Sequence, residues 1–309
     1  MNLQLLVSDI LVRAMIAGTV AAAVASLVGY FVVLRAQAFA AESLLDVCFA
    51  GATGGALLGI SPVLGMAVFG VGAAVGMGGL GERARERSVE IGMVVSFALG
   101  LGVLFLGLYA HRSAGHANAG VALLFGSLLS IQPADIERVG ALGLATVVGL
   151  ALLYRPLLFS TIDPEAARAR GVPVRVVSIL FLVVVALAAA VGSMAVGILL
   201  AASLLIAPAA AAARLSRRPG RSLLLSAGLS LGVTWGGILV SFLWPWHHPP
   251  VGFTVSALAA VVYFAAAGAS RKLYSGRGRT VVVGDHAETG HNWPVPKKPQ
   301  TRSSDQQGS

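Results

Sequence analysis

Two acidic side chains one helical turn apart, Glu42 and Asp46, are the residues of this chain best placed to do chemistry. They stand near the beginning of an apolar run, in FAAESLLDVCFAGATGG. Four residues turn an α-helix by about 400°, so the two carboxylates share one face. Two oxygen donors on a cavity wall replace part of the hydration shell of a divalent cation. The spacing indicates a cation path. The alternative is that Glu42 marks the membrane interface and Asp46 bonds to a neighbouring helix.

The composition excludes an ordinary soluble protein. Of the 309 residues, 57% are hydrophobic and 11% are charged, against about 25% charged in a typical globular chain. Cys48 is the single cysteine, which excludes a disulfide framework and a cysteine-rich metal site, and we interpret it as a small buried hydrophobe. The sequence therefore predicts an all-α, polytopic membrane helical bundle.

Nine apolar runs are long enough to cross a bilayer, which takes about 20 residues per helix. They lie near residues 10–34, 43–60, 62–80, 90–110, 138–154, 176–192, 195–213, 222–243 and 251–270. The apolar stretch 176–213 is too long for one helix, and Gly192-Ser193 is its natural break. The shorter run 121–131 is interpreted as an interfacial or re-entrant segment. We expect eight or nine transmembrane helices.

Lys and Arg predict the orientation of the chain in the membrane. Of the 22 such residues, only Arg13, Arg112 and Arg138 fall on one side, and the others fall on the side that we expect to be cytoplasmic. The N-terminus is then outside and the C-terminus is cytoplasmic. No cleavable signal peptide is evident. Residues 1–270 form the transmembrane domain, and the polar, proline-containing residues 271–309 form a disordered basic cytoplasmic tail.

Small residues and a proline predict how two of the helices pack. Gly51, Gly55 and Gly59 repeat every four residues, which indicates a ridge on which another helix packs closely. Pro208 interrupts the seventh run in SLLIAPAAAAARL and predicts a kink, because proline removes a backbone donor.

The segment STIDPEAARARGVPVR predicts a short helix between the fifth and sixth runs. Asp163 is a suitable N-cap, Pro164 fits the first helical position, and Glu165 suits the first turn. Gly171 is a suitable C-terminal stop. A short capped helix of this kind either docks onto a cytoplasmic partner or is a solvated linker, and the residues alone leave both open.

The sequence contains no signature of a catalytic or nucleotide-binding site. There is no G-x-x-x-x-G-K-[ST] loop, and the glycine-rich GVGAAVGMGG lies in an apolar run without Lys. The net charge of +9 would suggest nucleic acid in a soluble protein, but here the charges lie in the loops of a membrane protein, so we expect no nucleic-acid partner. We expect no enzyme activity and no cofactor bound by this chain. Active transport would take its energy from a partner subunit or an ion gradient.

Five segments, in order along the chain, resemble the membrane permease subunits of bacterial metal-type ABC importers, the group that serves zinc, manganese and iron. They are FVVLRAQAFAAESLLDVCFAGATGGALLG, LLFGSLLSIQPADI, DPEAARARGVP, VGILLAASLLIAPAAAAARL and HPPVGFTVSALAAVVYF. The resemblance covers about residues 10–270. It implies a pore-forming permease subunit in the bacterial cell membrane, paired as a homodimer.

The resemblance also implies the partners. A cytoplasmic ATP-binding-cassette ATPase would use ATP, and an extracellular solute-binding protein would deliver the metal. The family's ATPase contact falls on the segment that DPEAARARG matches. There Asp163, Pro164, Glu165, Ala169 and Gly171 would form the ATPase-docking helix.

The chain departs from the family at the carboxylate pair. The family commonly places an Asp and a His one turn apart in the second span. Here Glu42 falls at the acidic position and Asp46 at the histidine position. Two hard oxygen donors favour manganese or iron, although the Irving–Williams order still favours zinc over manganese at most sites. The departure also indicates a further alternative, in which the cargo is something other than a bare cation.

Two other functions fit the same residues. In an ion-coupled secondary carrier, the carboxylates would form a proton relay, although no clear inverted repeat supports it. In a non-transporting membrane scaffold of a surface complex, they would be structural.

Overall fold

The computed structural model describes residues 9–79, 88–112, 133–216, 218–243 and 249–275. Within these residues the regular structure is entirely helical, as predicted. The helices in chain order are α1 (Asp9–Leu34), α2 (Ala38–Leu57), α3 (Pro62–Gly79), α4 (Ser88–Arg112), α5 (Pro133–Ile162), α6 (Pro164–Ala169), α7 (Val174–Val196), α8 (Ile198–Leu215), α9 (Pro219–Leu243) and α10 (Val251–Ser275).

Six helices of the described part are long and apolar enough to cross a membrane, namely α1, α3, α5, α7, α9 and α10. Shorter apolar segments, Val95–His111 and Ala201–Leu215, lie in α4 and α8. The remaining long helix, α2, carries Glu42 and Asp46. The protein is therefore a multi-pass membrane protein.

Helices α1 and α7 form the centre of the bundle. Helix α1 packs against α5, α7, α8 and α9, and α7 packs against α1, α2, α3, α5 and α8. The fully buried rings of Phe31 and Phe181 meet between α1 and α7, with their centroids 6.4 Å apart. Phe31 also packs edge-on against Tyr154 of α5, at 5.7 Å. This aromatic contact joins three helices near one end of the bundle.

Helices α2 and α3 approach each other at backbone distance because glycines meet between them. A Cβ atom on Gly51 would collide with the carbonyl oxygen of Gly65, and one on Gly55 would lie 3.4 Å from the Gly65 Cα. Gly59 does not extend this ridge, contrary to the prediction. It lies beyond the end of α2, in a turn where its φ of +74° needs a residue without a side chain.

The long apolar stretch divides at Gly197, so the predicted break at Gly192-Ser193 is wrong. Gly192 lies inside α7, and α8 begins one residue after Gly197. Gly197 has φ 97° and ψ 152°, a conformation that side chains oppose. Both positions offer a glycine, and the local sequence does not show which of them takes the special conformation.

Two other predictions concern residues that lie within α8 and α10. Pro208 is buried inside α8, which remains helical from Ile198 to Leu215. Helix α10 continues to Ser275, past the predicted boundary at residue 270. The predicted segment 121–131 and the tail beyond Ser275 lie outside the described residues.

We expect Gly51→Ala to destabilise the bundle. The new methyl group would collide with the Gly65 carbonyl oxygen and lie 2.7 Å from the Cβ of Phe69, so α2 and α3 must separate. Overpacking of this kind costs about 1–3 kcal/mol, which thermal unfolding in detergent would show as a lower Tm. Gly72→Ala on α3 is the matched control, since a Cβ there meets nothing within 4 Å. The same Tm for both variants would contradict the close contact.

Candidate functional site

The two carboxylates are the two positions that are not buried between Ala41 and Gly55 of α2. Glu42 is exposed and Asp46 is half-buried. They lie one turn apart on α2, close enough for their charges to interact. The residues around them on α2 are buried against the bundle, among them Ser43, Leu44, Leu45, Val47 and Cys48. Helix α2 is therefore enclosed by the bundle over most of its length, and its acidic groups lie in its less buried first half.

The carboxylate pair is a sparse ligand set. Within the described ranges, no group of three or more His, Cys, Asp or Glu residues lies together. Cys48 does not join the pair, because it is fully buried with its Sγ 3.6 Å from the carbonyl oxygen of Met66. Two carboxylates offer hard oxygen donors to a cation and leave its other positions to water. Such a set suits passage of a cation better than firm retention.

The short helix predicted between the fifth and sixth runs is present as α6. Asp163 is extended, and its Oδ1 accepts a hydrogen bond of 2.9 Å from the N–H of Ala166. Pro164 opens the helix, where no backbone donor is needed, and Glu165 lies in the first turn, where the helix dipole favours a negative charge. The local sequence thus specifies where α6 begins.

A glycine turn ends α6 after Ala169. Gly171 has φ +80°, and its N–H donates to the carbonyl oxygen of Arg168 at 3.0 Å. The N–H of Val172 donates to the carbonyl oxygen of Ala167, also at 3.0 Å. These two bonds form the Schellman motif of a left-handed C-terminal residue. Ala167 is the buried residue of α6, and its exposed residues are Pro164, Glu165, Arg168 and Ala169.

Arg35, which the sequence marks only as a cytoplasmic charge, connects the helices on either side of α6. Its Nη1 donates to Ser160 Oγ and Thr161 Oγ1, both at 3.3 Å, and its Nη2 donates to Ser178 Oγ at 2.7 Å. Its guanidinium carbon lies 5.6 Å from the centroid of the Phe181 ring. These partners are distant in the sequence. The one local signal is a single charge directly after an apolar run.

The ends of four helices are therefore linked to one another at the end of the bundle that carries α6. Arg35 follows α1 and holds the end of α5 and the beginning of α7. Arg175 of α7 donates from Nη2 to the carbonyl oxygen of Gly79, the last residue of α3. Helix α2 begins three residues after Arg35, so Glu42 and Asp46 lie toward this same end of the bundle.

Comparison with known proteins assigns this chain to a class, that of membrane transport permeases. The chain belongs to the ABC 3 transport family, whose profile matches residues 7–268. This confirms the resemblance that the five sequence segments indicated.

Named relatives cover most of the chain. It is 29% identical over 245 residues to the manganese transport system membrane protein MntC of Halalkalibacterium halodurans, covering 78% of this chain and 82% of that protein. It is 28% identical over 235 residues to the high-affinity zinc uptake system membrane protein ZnuB of Haemophilus influenzae, covering 75% and 88%. A solved structure, PsaBC from Streptococcus pneumoniae in complex with Fab, shares the fold, with a TM-score of 0.75, 23% identity and coverage of 88% and 97%.

We expect Asp163→Ala to loosen α6. The substitution removes the acceptor for the Ala166 N–H and costs about 1 kcal/mol, so the amides of α6 should exchange hydrogen about fivefold faster. Hydrogen exchange followed by mass spectrometry measures this rate. Asp163→Asn keeps an oxygen acceptor at the same place and should exchange like the unsubstituted chain. If both variants exchange at the same rate, the side-chain cap does not hold α6.

Proposed function

We propose that this chain is the pore-forming permease subunit of an ATP-driven importer for a divalent transition metal ion, namely manganese, zinc or iron. The observation that carries the proposal is the pair of carboxylates that remain accessible on the largely buried helix α2, in a chain of the ABC 3 transport family. The relatives named for manganese and zinc transport support the same class of cargo.

The ligand types favour manganese or iron. Glu42 and Asp46 supply only oxygen, and an imidazole, which suits zinc, is missing from the position of Asp46 in the family pattern. Manganese accepts carboxylate, carbonyl and water ligands readily. The cation would pass the pair mostly hydrated, exchanging one or two waters for carboxylate oxygens.

The energy would come from a separate subunit. The sequence has no phosphate-binding loop of its own, and α6 offers an exposed, capped helix for a cytoplasmic ATPase to contact. An extracellular solute-binding protein would deliver the metal, and two copies of this chain would form the pore. The proposal places the N-terminus outside, eight or nine spans in the membrane, and residues 271–309 as a cytoplasmic tail.

In the proposed mechanism, ATP binding and hydrolysis on the ATPase move α6 together with the ends of α5 and α7. This movement switches the pore between outward and inward access. Glu42 and Asp46 line the path and hold the cation transiently. Pro208 leaves α8 with one backbone bond fewer, which eases its bending next to α10.

We expect Glu42→Ala/Asp46→Ala to abolish metal uptake while leaving membrane insertion intact. Glu42 is exposed and Asp46 is half-buried, so their loss removes cation ligands without opening a cavity in the core. Elemental mass spectrometry of manganese, zinc and iron would compare intact, deleted and doubly substituted strains under metal limitation. Glu42→Gln/Asp46→Asn keeps the shape of both side chains and removes their charge, and it should lose uptake as well.

A carboxylate at the other end of α5 provides the control. Glu137 is exposed there, and Glu137→Ala should keep normal metal content. A fall of one metal in the deletion and in both carboxylate variants would identify the cargo and its path. Normal metal content in the carboxylate variants would refute the site. Normal content in the deletion strain would favour a different cargo or a scaffold.

A further inference from the structure

Arg35 holds together the two ends of the segment that contains α6. Ser160 and Thr161 belong to the last turn of α5, immediately before the Asp163 cap, and Ser178 lies in the second turn of α7. One guanidinium bonds to all three hydroxyls. The two helices that enter and leave α6 are therefore held to the same side chain.

The backbone at Arg35 leads directly into α2. Helix α1 ends in a Schellman motif, in which the N–H of Ala36 donates to the carbonyl oxygen of Val33 at 3.0 Å and that of Gln37 donates to Val32 at 2.9 Å. Ala36 has φ +53°, the one positive φ of a non-glycine residue in the described part of the chain. A left-handed alanine persists only where its surroundings fix it. The turn is thus defined, and it connects Arg35 to the beginning of α2 at Ala38.

The interaction depends on the shape of the guanidinium. Its planar fork reaches hydroxyls on two helices at once, while its face lies over the Phe181 ring. Burial lowers the pKa of Arg35, yet an arginine remains protonated in proteins. A lysine, with one compact ammonium group, would reach fewer of these partners.

We propose that Arg35 is the positioning residue that transmits movement of α6 to α2, and so to Glu42 and Asp46. The inference rests on the proposed function, because it takes α6 as the ATPase contact and α2 as the wall of the cation path. When the ends of α5 and α7 move with α6, the guanidinium carries the turn between α1 and α2 with them. Arg175, bonded to Gly79, links α7 to α3 in the same way.

The test measures metal uptake and ATP hydrolysis in one preparation. The tagged chain is purified with the ATPase and binding protein that accompany it and is reconstituted into vesicles, with manganese(II), zinc(II) and iron(II) supplied separately. For Arg35→Gln, we expect hydrolysis within about twofold of the unsubstituted complex and uptake per ATP reduced about tenfold. Arg35→Lys should recover part of the ratio. Arg155→Gln removes an exposed charge from α5 and should leave the ratio unchanged.

Each outcome decides the inference. If Arg35→Gln leaves the ratio of uptake to ATP hydrolysis unchanged, the inference is overturned. This includes the case in which both rates fall in parallel, because Arg35 would then support the fold in general and would not couple α6 to α2. If Arg35→Gln does not assemble, Ser178→Ala and Ser160→Ala/Thr161→Val remove the acceptors instead and should lower the same ratio. Failure of the unsubstituted complex to take up metal with ATP would refute the proposed function itself. Normal ATP-driven uptake combined with a normal ratio in these variants would refute only the role of Arg35.

Discussion

A backbone amide or carbonyl that has no hydrogen-bond partner costs several kcal/mol in hydrocarbon, and the architecture of this protein follows from that cost. Each apolar run in the described part of the chain forms a helix, which pairs its own backbone groups. Three threonine side chains obey the same constraint, since Thr19, Thr53 and Thr146 each donate to a carbonyl oxygen of the preceding turn of their own helix. The backbone leaves the helical conformation at helix ends, as at Gly59 and Gly197.

The same cost determines where charge is placed. Arg35 lies just past the end of α1, and the two carboxylates lie in the first half of α2. Arg35 and the two carboxylates are thus gathered at the end of the bundle where the short helix α6 connects α5 and α7. In the proposed function, the cation path and the contact for the ATPase therefore lie within a few helical turns of each other.

The sequence predicted best what local chemistry decides. Helix α6 follows from an Asp-Pro beginning and a glycine end, all within nine residues of one another, and the helical bundle follows from the length of the apolar runs. The break at Gly197 was missed because two glycines compete and tertiary packing chooses between them. The end of α2 at Leu57 was missed for a similar reason, because the periodic glycines continue past the residue where the chain turns.

The contacts of Arg35 lay beyond sequence reasoning for a different reason. Its partners Ser160, Thr161 and Ser178 are more than a hundred residues away, and each is an ordinary hydroxyl in an apolar run. The carboxylate pair was visible because charge at that depth is unusual. Serines are common in membrane helices, and only the fold shows which of them accept a hydrogen bond from an arginine.

The hydrogen-bond acceptors of the Arg35 guanidinium are all hydroxyl groups, and this determines the conditions under which that end of the bundle holds together. A carboxylate partner would titrate in acid and would be screened by salt. Serine and threonine carry no charge to titrate or to screen, and arginine keeps its own across the range in which cells grow. The link between α1, α5 and α7 is thus built to be indifferent to acidity and ionic strength.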